Sequence, residues 1–247
     1  MLIQVGEARN GNVDRRLAST LAAIAGALNA AAFHAVGFFS ANMTGNVSLL
    51  SDHIGMGDFS SAIFVFAIVA SFVAGAALST LLVNAGRRRH VNGIYAYSIL
   101  LEATLLVALG FVDLQLLGSQ RVVTLVLSLS FLMGLQNAVV TRISDARVRT
   151  THVSGMATDI GIGIGMLYDM KRGAETQAAA DQTLAKLILH VQTVFSFFLG
   201  GIAGVLAYRE FGGFLLFGVA AILFAIAIPA ALRSRGRKTE PPPAGLR

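Results

Sequence analysis

The chain has 247 residues, of which 55% are hydrophobic and only 13% charged, about half the charged share of an ordinary soluble domain. That excludes a soluble globular fold for most of its length. It has no cysteine, which removes disulfide frameworks and thiolate metal sites, and its formal charge of +6 is spread between apolar runs rather than gathered into a nucleic-acid-binding patch.

Residues 1–14 are polar and aperiodic and read as a cytoplasmic tail. Apolar runs follow at 17–37, 62–84, 93–113, 122–141, 187–208 and 212–232. Each is about 20 residues long, the helix length that crosses ~30 Å of hydrocarbon. The expected fold class is an all-α polytopic membrane protein with six transmembrane helices. The first run has the position of a cleaved secretion signal, but a motif inside it recurs later, so it is kept as a span. Residues 233–247, "RSRGRKTEPPPAGLR", combine charge with three prolines and read as a disordered cytoplasmic tail.

Orientation follows from the basic residues, which favour the cytoplasmic side of short loops. With the N-terminus inside, every Lys and Arg except Arg121 and Arg209 falls on the cytoplasmic side. Both termini are therefore expected inside a bacterial inner membrane. A further crossing at 38–54 would throw Arg87, Arg88 and Arg89 outside, and a second at 150–168 would be needed to recover the C-terminus. Six spans fit the charges better than eight.

Three motifs recur in order. "GALNA" (26–30) matches "GLQNA" (134–138), "MTG" (43–45) matches "VSG" (153–155), and "FVAGA" (72–76) matches "FLGGI" (198–202). The chain thus reads as two three-span repeats, 15–114 and 115–232, the second with a cytoplasmic insertion at 166–186. Three is odd, so the second repeat must cross in the opposite sense. Inverted repeats with broken helices recur in secondary transporters, with the substrate near the midplane.

The segment 38–54 is apolar at its ends and polar in the middle, too short and too polar for an ordinary span. It reads as a re-entrant or broken helix, since irregular backbone at membrane depth must be buried or line a cavity. The bland alternative is a capped loop just outside the bilayer. Gly45 would let the chain bend, and Asn42 or Thr44 would cap a half-helix whose start could hold an anion or a carboxylate. Asn46 completes this motif. Thr151, Ser154 and Gly155 do the same from the other side. "GIGIG" at 161–165 reads as a helix-packing stripe, since Met166 stands where a dinucleotide fingerprint needs its third Gly.

Asn29 and Asn137 occupy matching places inside spans, with Gln136 beside the latter, and suit either interhelical hydrogen bonding or ligand contact. His34 and His190 sit near span ends, where interfacial roles are commoner. Asp159 is expected to pair with Arg142, Arg147 or Arg149 unless it serves the pathway. Glu102 lies near the middle of span three, where a charge costs about 2.5–3.5 kcal/mol. It should face the bundle interior, as a proton carrier or as a neutral acid bonded to a neighbouring helix.

Asn29–Ala30, "NMTGN", "THVSG" and Asp159 in "ATDIG" resemble the YoaK-type family of bacterial six-span membrane proteins, whose function is not established. Ser154 stands where the family pattern suggests Thr, which keeps the hydroxyl. The resemblance covers nearly all of the chain between its tails. It implies an inner-membrane protein, sometimes labelled a permease, and supplies no substrate.

The leading functional expectation is a secondary transporter (permease) for an unidentified small solute, with proton coupling through Glu102 as one form it could take. No nucleotide-binding or cofactor motif is present, and nothing in the sequence sets an oligomeric state. A membrane scaffold or partner subunit is the alternative. An intramembrane hydrolase using Ser154 with His152 or His190 is a third; catalysis would need that serine held against a base.

Overall fold

The computed structural model describes residues 2, 11–170 and 177–235. The proposed tail segments 1, 3–10 and 236–247, and residues 171–176 of the insertion, lie outside the described residues. Eight helices follow in order: α1 (Gly11–Val36), α2 (Met43–Gly55), α3 (Phe59–Arg88), α4 (Ile94–Gln115), α5 (Gly118–Ile143), α6 (Val153–Met170), α7 (Gln177–Phe211) and α8 (Phe214–Arg235). Six of them, α1, α3, α4, α5, α7 and α8, are long and apolar enough to cross a membrane. The protein is thus an all-α, six-span membrane protein, as composition demands.

Two boundaries move. Residues 11–14 and 233–235, expected in tails, are helical ends of α1 and α8, because polar residues continue a helix past the apolar run at little cost. Much of the expected insertion is likewise helix, since α6 runs on to Met170 and α7 begins at Gln177.

Packing is set by small residues. A methyl group on Gly26 would overlap the Phe197 carbonyl, and one on Gly134 would overlap the Phe72 carbonyl. In the same way Gly75 abuts the Phe131 carbonyl and Gly200 the Ala23 carbonyl. These four approaches join α1 to α7 and α3 to α5; α4 packs on α8, α2 lies along α3 and α6 along α7. Small residues let helix backbones approach where lipid supplies no hydrophobic drive. The contacts correct one sequence match: Phe72 corresponds to Phe197, and Gly75 to Gly200, one residue earlier than the pairing of "FVAGA" with "FLGGI". "FFLGG" offers two adjacent glycines, and only backbone geometry decides which one carries the contact.

Leu21, Leu28, Ile99, Leu106, Met133 and Leu135 form the dry interior. Phe66, Phe195, Phe198 and Ile222 are exposed, an outward apolar surface that suits lipid. One end of the bundle gathers basic residues. There Arg147 pairs with Asp14 at 3.2 Å, Arg142 donates to Asn84 Oδ1 at 2.8 Å, and Arg87 donates to the Tyr95 hydroxyl. α1 therefore begins at the end where α5 stops. At the other end Arg121 makes two bonds to Asp113, at 2.8 and 2.9 Å, and a third to the Tyr208 hydroxyl at 2.7 Å. This clamp binds α4 and α5 to α7.

Candidate functional site

After α1 the chain doubles back. The Ala41 N–H donates to Asn29 Oδ1 at 2.8 Å, so residue 41 lies beside a residue two turns before the helix end. Phe39 stacks on Phe33 with ring centroids 4.2 Å apart along this return, and Asn46 donates to the Phe39 carbonyl at 3.2 Å. α2 then starts beside this return, with Asn46 its buried residue. Its cap is Asn42, whose Oδ1 accepts the Gly45 N–H at 3.1 Å. Thirteen residues make a helix about 20 Å long, too short to cross and long enough to climb back out.

The second half repeats the device with different atoms. Thr151 donates its hydroxyl proton to Asn137 Oδ1 at 2.8 Å, and Thr150 lies 3.4 Å from the same oxygen. Asn137 donates in turn to the Met133 carbonyl at 2.8 Å. Residues 144–152 thereby fold back from the end of α5, and α6 starts beside α2. The matching asparagines are the posts to which the two returning linkers are tied.

The two helix starts share one cavity of about 580 Å³. Asn29, Asn42, Thr44 and Gly45 line it from the first half, and Thr151, His152 and Ser154 from the second; Phe72 and Phe197 complete the wall. Backbone N–H groups at a helix start carry partial positive charge, so a largely apolar pocket here has two such ends and a few polar side chains at its wall.

Other expected site residues fall elsewhere. Gly155 and Asp159 line a neighbouring cavity of about 340 Å³, with Arg149, His152 and His190. Asp159 does not pair with an arginine as expected. Its Oδ2 lies 3.8 Å from His190 Nδ1 on α7, because Arg142 and Arg147 are engaged by Asn84 and Asp14. Asn46 is buried and holds the linker. Asn137 stands behind Thr151 rather than in the cavity wall.

Glu102 is fully buried, on the interior face as expected. Gln136 Nε2 donates to its Oε1 at 2.9 Å. Glu102 Oε2 and Gln136 Oε1 have no partner. A carboxylic acid and a primary amide match each other with two hydrogen bonds when the acid keeps its proton. Glu102 is separate from the 580 Å³ cavity, yet its partner Gln136 is next in sequence to Asn137, which holds the second linker.

Sequence reasoning did not find the Arg121–Asp113–Tyr208 clamp, nor the roles of Thr150 and Thr151. The signal for the threonines was present in "RTTH", directly before the second Gly motif.

Residues 17–229 match the protein family described as a protein of unknown function, DUF1275. The chain belongs to that family. It is also 23% identical, over 223 residues, to the UPF0700 transmembrane protein YoaK of Bacillus subtilis (strain 168), an alignment that covers 90% of this chain and 96% of that protein. No solved structure matches the chain.

Proposed function

We propose that this DUF1275 protein is a secondary transporter that carries a small solute across the bacterial inner membrane, holding it in the cavity between α2 and α6. The observation that carries the reading is that two short helices, one from each half of the chain, begin at the same cavity. A helix that starts at depth inside a span bundle is costly unless its free backbone groups serve something. Paired half-helix starts are a recurring way to hold a solute between two halves that rock against each other.

Matching contacts support two three-span repeats in opposite orientation. Gly26 and Gly134 meet equivalent carbonyls, Asn29 and Asn137 tie equivalent linkers, and α1 begins at the end where α5 stops. The gathering of Arg15, Arg87, Arg142 and Arg147 at one end supports a cytoplasmic placement of that end and of both termini. Glu102 supplies a buried acid whose partner Gln136 is next in sequence to Asn137, the residue that ties the second linker.

The test uses the absence of cysteine from the sequence. Thr44→Cys introduces a single thiol into the cavity wall. In right-side-out and inside-out vesicles, a rocking transporter exposes that thiol to a membrane-impermeant reagent from both faces. Labelling from one face only would contradict the reading and favour a static scaffold.

A further inference from the structure

The central cavity does not end blindly at the basic end of the bundle. His152 lines both it and the 340 Å³ cavity. Arg147, Asp159 and His190 line both that cavity and a third, of about 790 Å³, at the start of α1 and between α6 and α7. Three clefts that share lining residues thus adjoin one another between the basic end and the starts of α2 and α6.

The charge along this path is uneven. Asp14 is matched by Arg147 at 3.2 Å, and Asp159 faces His190 at 3.8 Å. Arg15 and Lys186 on the third cavity, and Arg149 on the middle one, have no carboxylate partner among the described residues. The clefts therefore carry a surplus of positive charge at their exposed rims, where it can steer a charged solute.

The two returning linkers differ in the same sense. Residues 37–42 carry Phe38 and Phe39, whose rings pack against Phe64 and Phe33. Residues 144–152 occupy the equivalent place and carry Arg147, Arg149 and His152. One side of the central cavity is backed by packed aromatic rings and the other by a polar linker, in which Arg149 follows the Arg147 that Asp14 pairs with.

We propose that the transported solute is a small anion, a carboxylate or an oxyanion, that reaches the central cavity from the basic end along this path, with Arg149 as the steering residue at the last junction. The inference rests on the transporter reading and adds to it a charge class and a side of access. An anion drawn along the path arrives at two helix starts whose N–H groups, and the hydroxyls of Thr44 and Ser154, can donate to oxygen; the Thr151 hydroxyl is already engaged by Asn137.

The test reads charge selectivity rather than transport. Ser154→Cys, as the single cysteine of the full chain, is reconstituted in vesicles of zwitterionic lipid so that lipid charge contributes nothing. It is labelled from the basic end with a sulfonate-bearing methanethiosulfonate and, separately, with its trimethylammonium analogue. The sulfonate reagent should react faster by on the order of tenfold, and Arg149→Gln should bring the ratio close to one. Acetate or sulfate should slow the labelling; protection by acetate alone assigns a carboxylate, and by sulfate alone an oxyanion. Equal rates for the two reagents, a faster cationic reagent, or protection by neither anion overturns the proposal. If Ser154→Cys fails to fold, Thr44→Cys reads the same cavity. Loss of charge selectivity with two-faced access intact would refute the anion and leave the transporter; one-faced access with selectivity intact would do the reverse.

Discussion

Replacing Gly134 by Ala probes the contact that brings α5 against α3. An added Cβ would lie 2.8 Å from the Phe72 carbonyl carbon and 3.1 Å from the Ala76 nitrogen, well inside ordinary carbon contact at about 3.5–4.0 Å. Both neighbours are backbone of a long helix, so neither can rotate away. The helices must part by roughly 1 Å, loosening every contact along the seam. Overpacking of this kind costs about 1–3 kcal/mol, against a gain of up to about 1 kcal/mol from the better helix propensity of Ala. The net expectation is a loss of about 1–2 kcal/mol. Gly26→Ala should lose a similar amount, because it meets Phe197 in the same manner. Gly161→Ala in α6 is the control: nothing lies within 4 Å of its added Cβ, so it should be neutral or stabilising. Thermal unfolding of the purified variants in detergent measures the difference. Equal stability of Gly134→Ala and Gly161→Ala would refute the close-approach argument.

Asn29→Leu removes the acceptor of a buried backbone N–H and should cost about 1–3 kcal/mol, with faster hydrogen exchange at Ala41; unchanged exchange there would show that the linker is held by something else. Glu102→Gln keeps an acceptor for Gln136 and should fold, but it cannot release a proton. If the carrier is proton-driven, this variant loses pH-dependent accumulation, and normal accumulation along a pH gradient would reduce Glu102 to a structural role. Asp58 caps α3, and the Ser61 hydroxyl and backbone N–H hold its carboxyl below the usual range. A depressed acid stabilises above its unfolded pKa, and that contribution fades as pH falls through the lower folded value. Protection from hydrogen exchange at the start of α3, taken relative to the intrinsic rate at each pH, should therefore fall on acidification in the parent and much less in Asp58→Asn, and an equal response in both would remove the cap from the explanation.

The six spans were readable because hydrocarbon imposes one length and one composition on any crossing helix, and 62–84 or 212–232 meet both without ambiguity. The return of the chain at 37–42 was readable only as a polar interruption, since a capped surface loop would carry the same residues. What separates the two is the bond from Ala41 to Asn29, between residues whose proximity no local pattern encodes. Asp159 shows the opposite failure. Three arginines close in sequence made a plausible partner set, yet the side chain that faces Asp159 is His190, on a different helix. The one-residue slip in the third repeat match has a similar cause: two adjacent glycines look alike as letters and differ only in which one faces a carbonyl. The Arg121–Asp113–Tyr208 clamp joins three helix ends from distant parts of the chain, and single charged residues at span ends give no hint of their partners.

The central claim is that the cavity between α2 and α6 moves a solute. Sealed vesicles containing the pure protein can be loaded with a mixture of small bacterial metabolites, diluted into isotope-labelled mixture, and analysed by mass spectrometry. At least one small solute should exchange faster than in protein-free vesicles, and Gly45→Leu, which drives a large side chain against the Asn42 cap, should abolish the exchange while the protein still folds. Exchange of every solute at the protein-free rate, from a preparation whose Thr44→Cys counterpart is folded and correctly inserted, would contradict the claim.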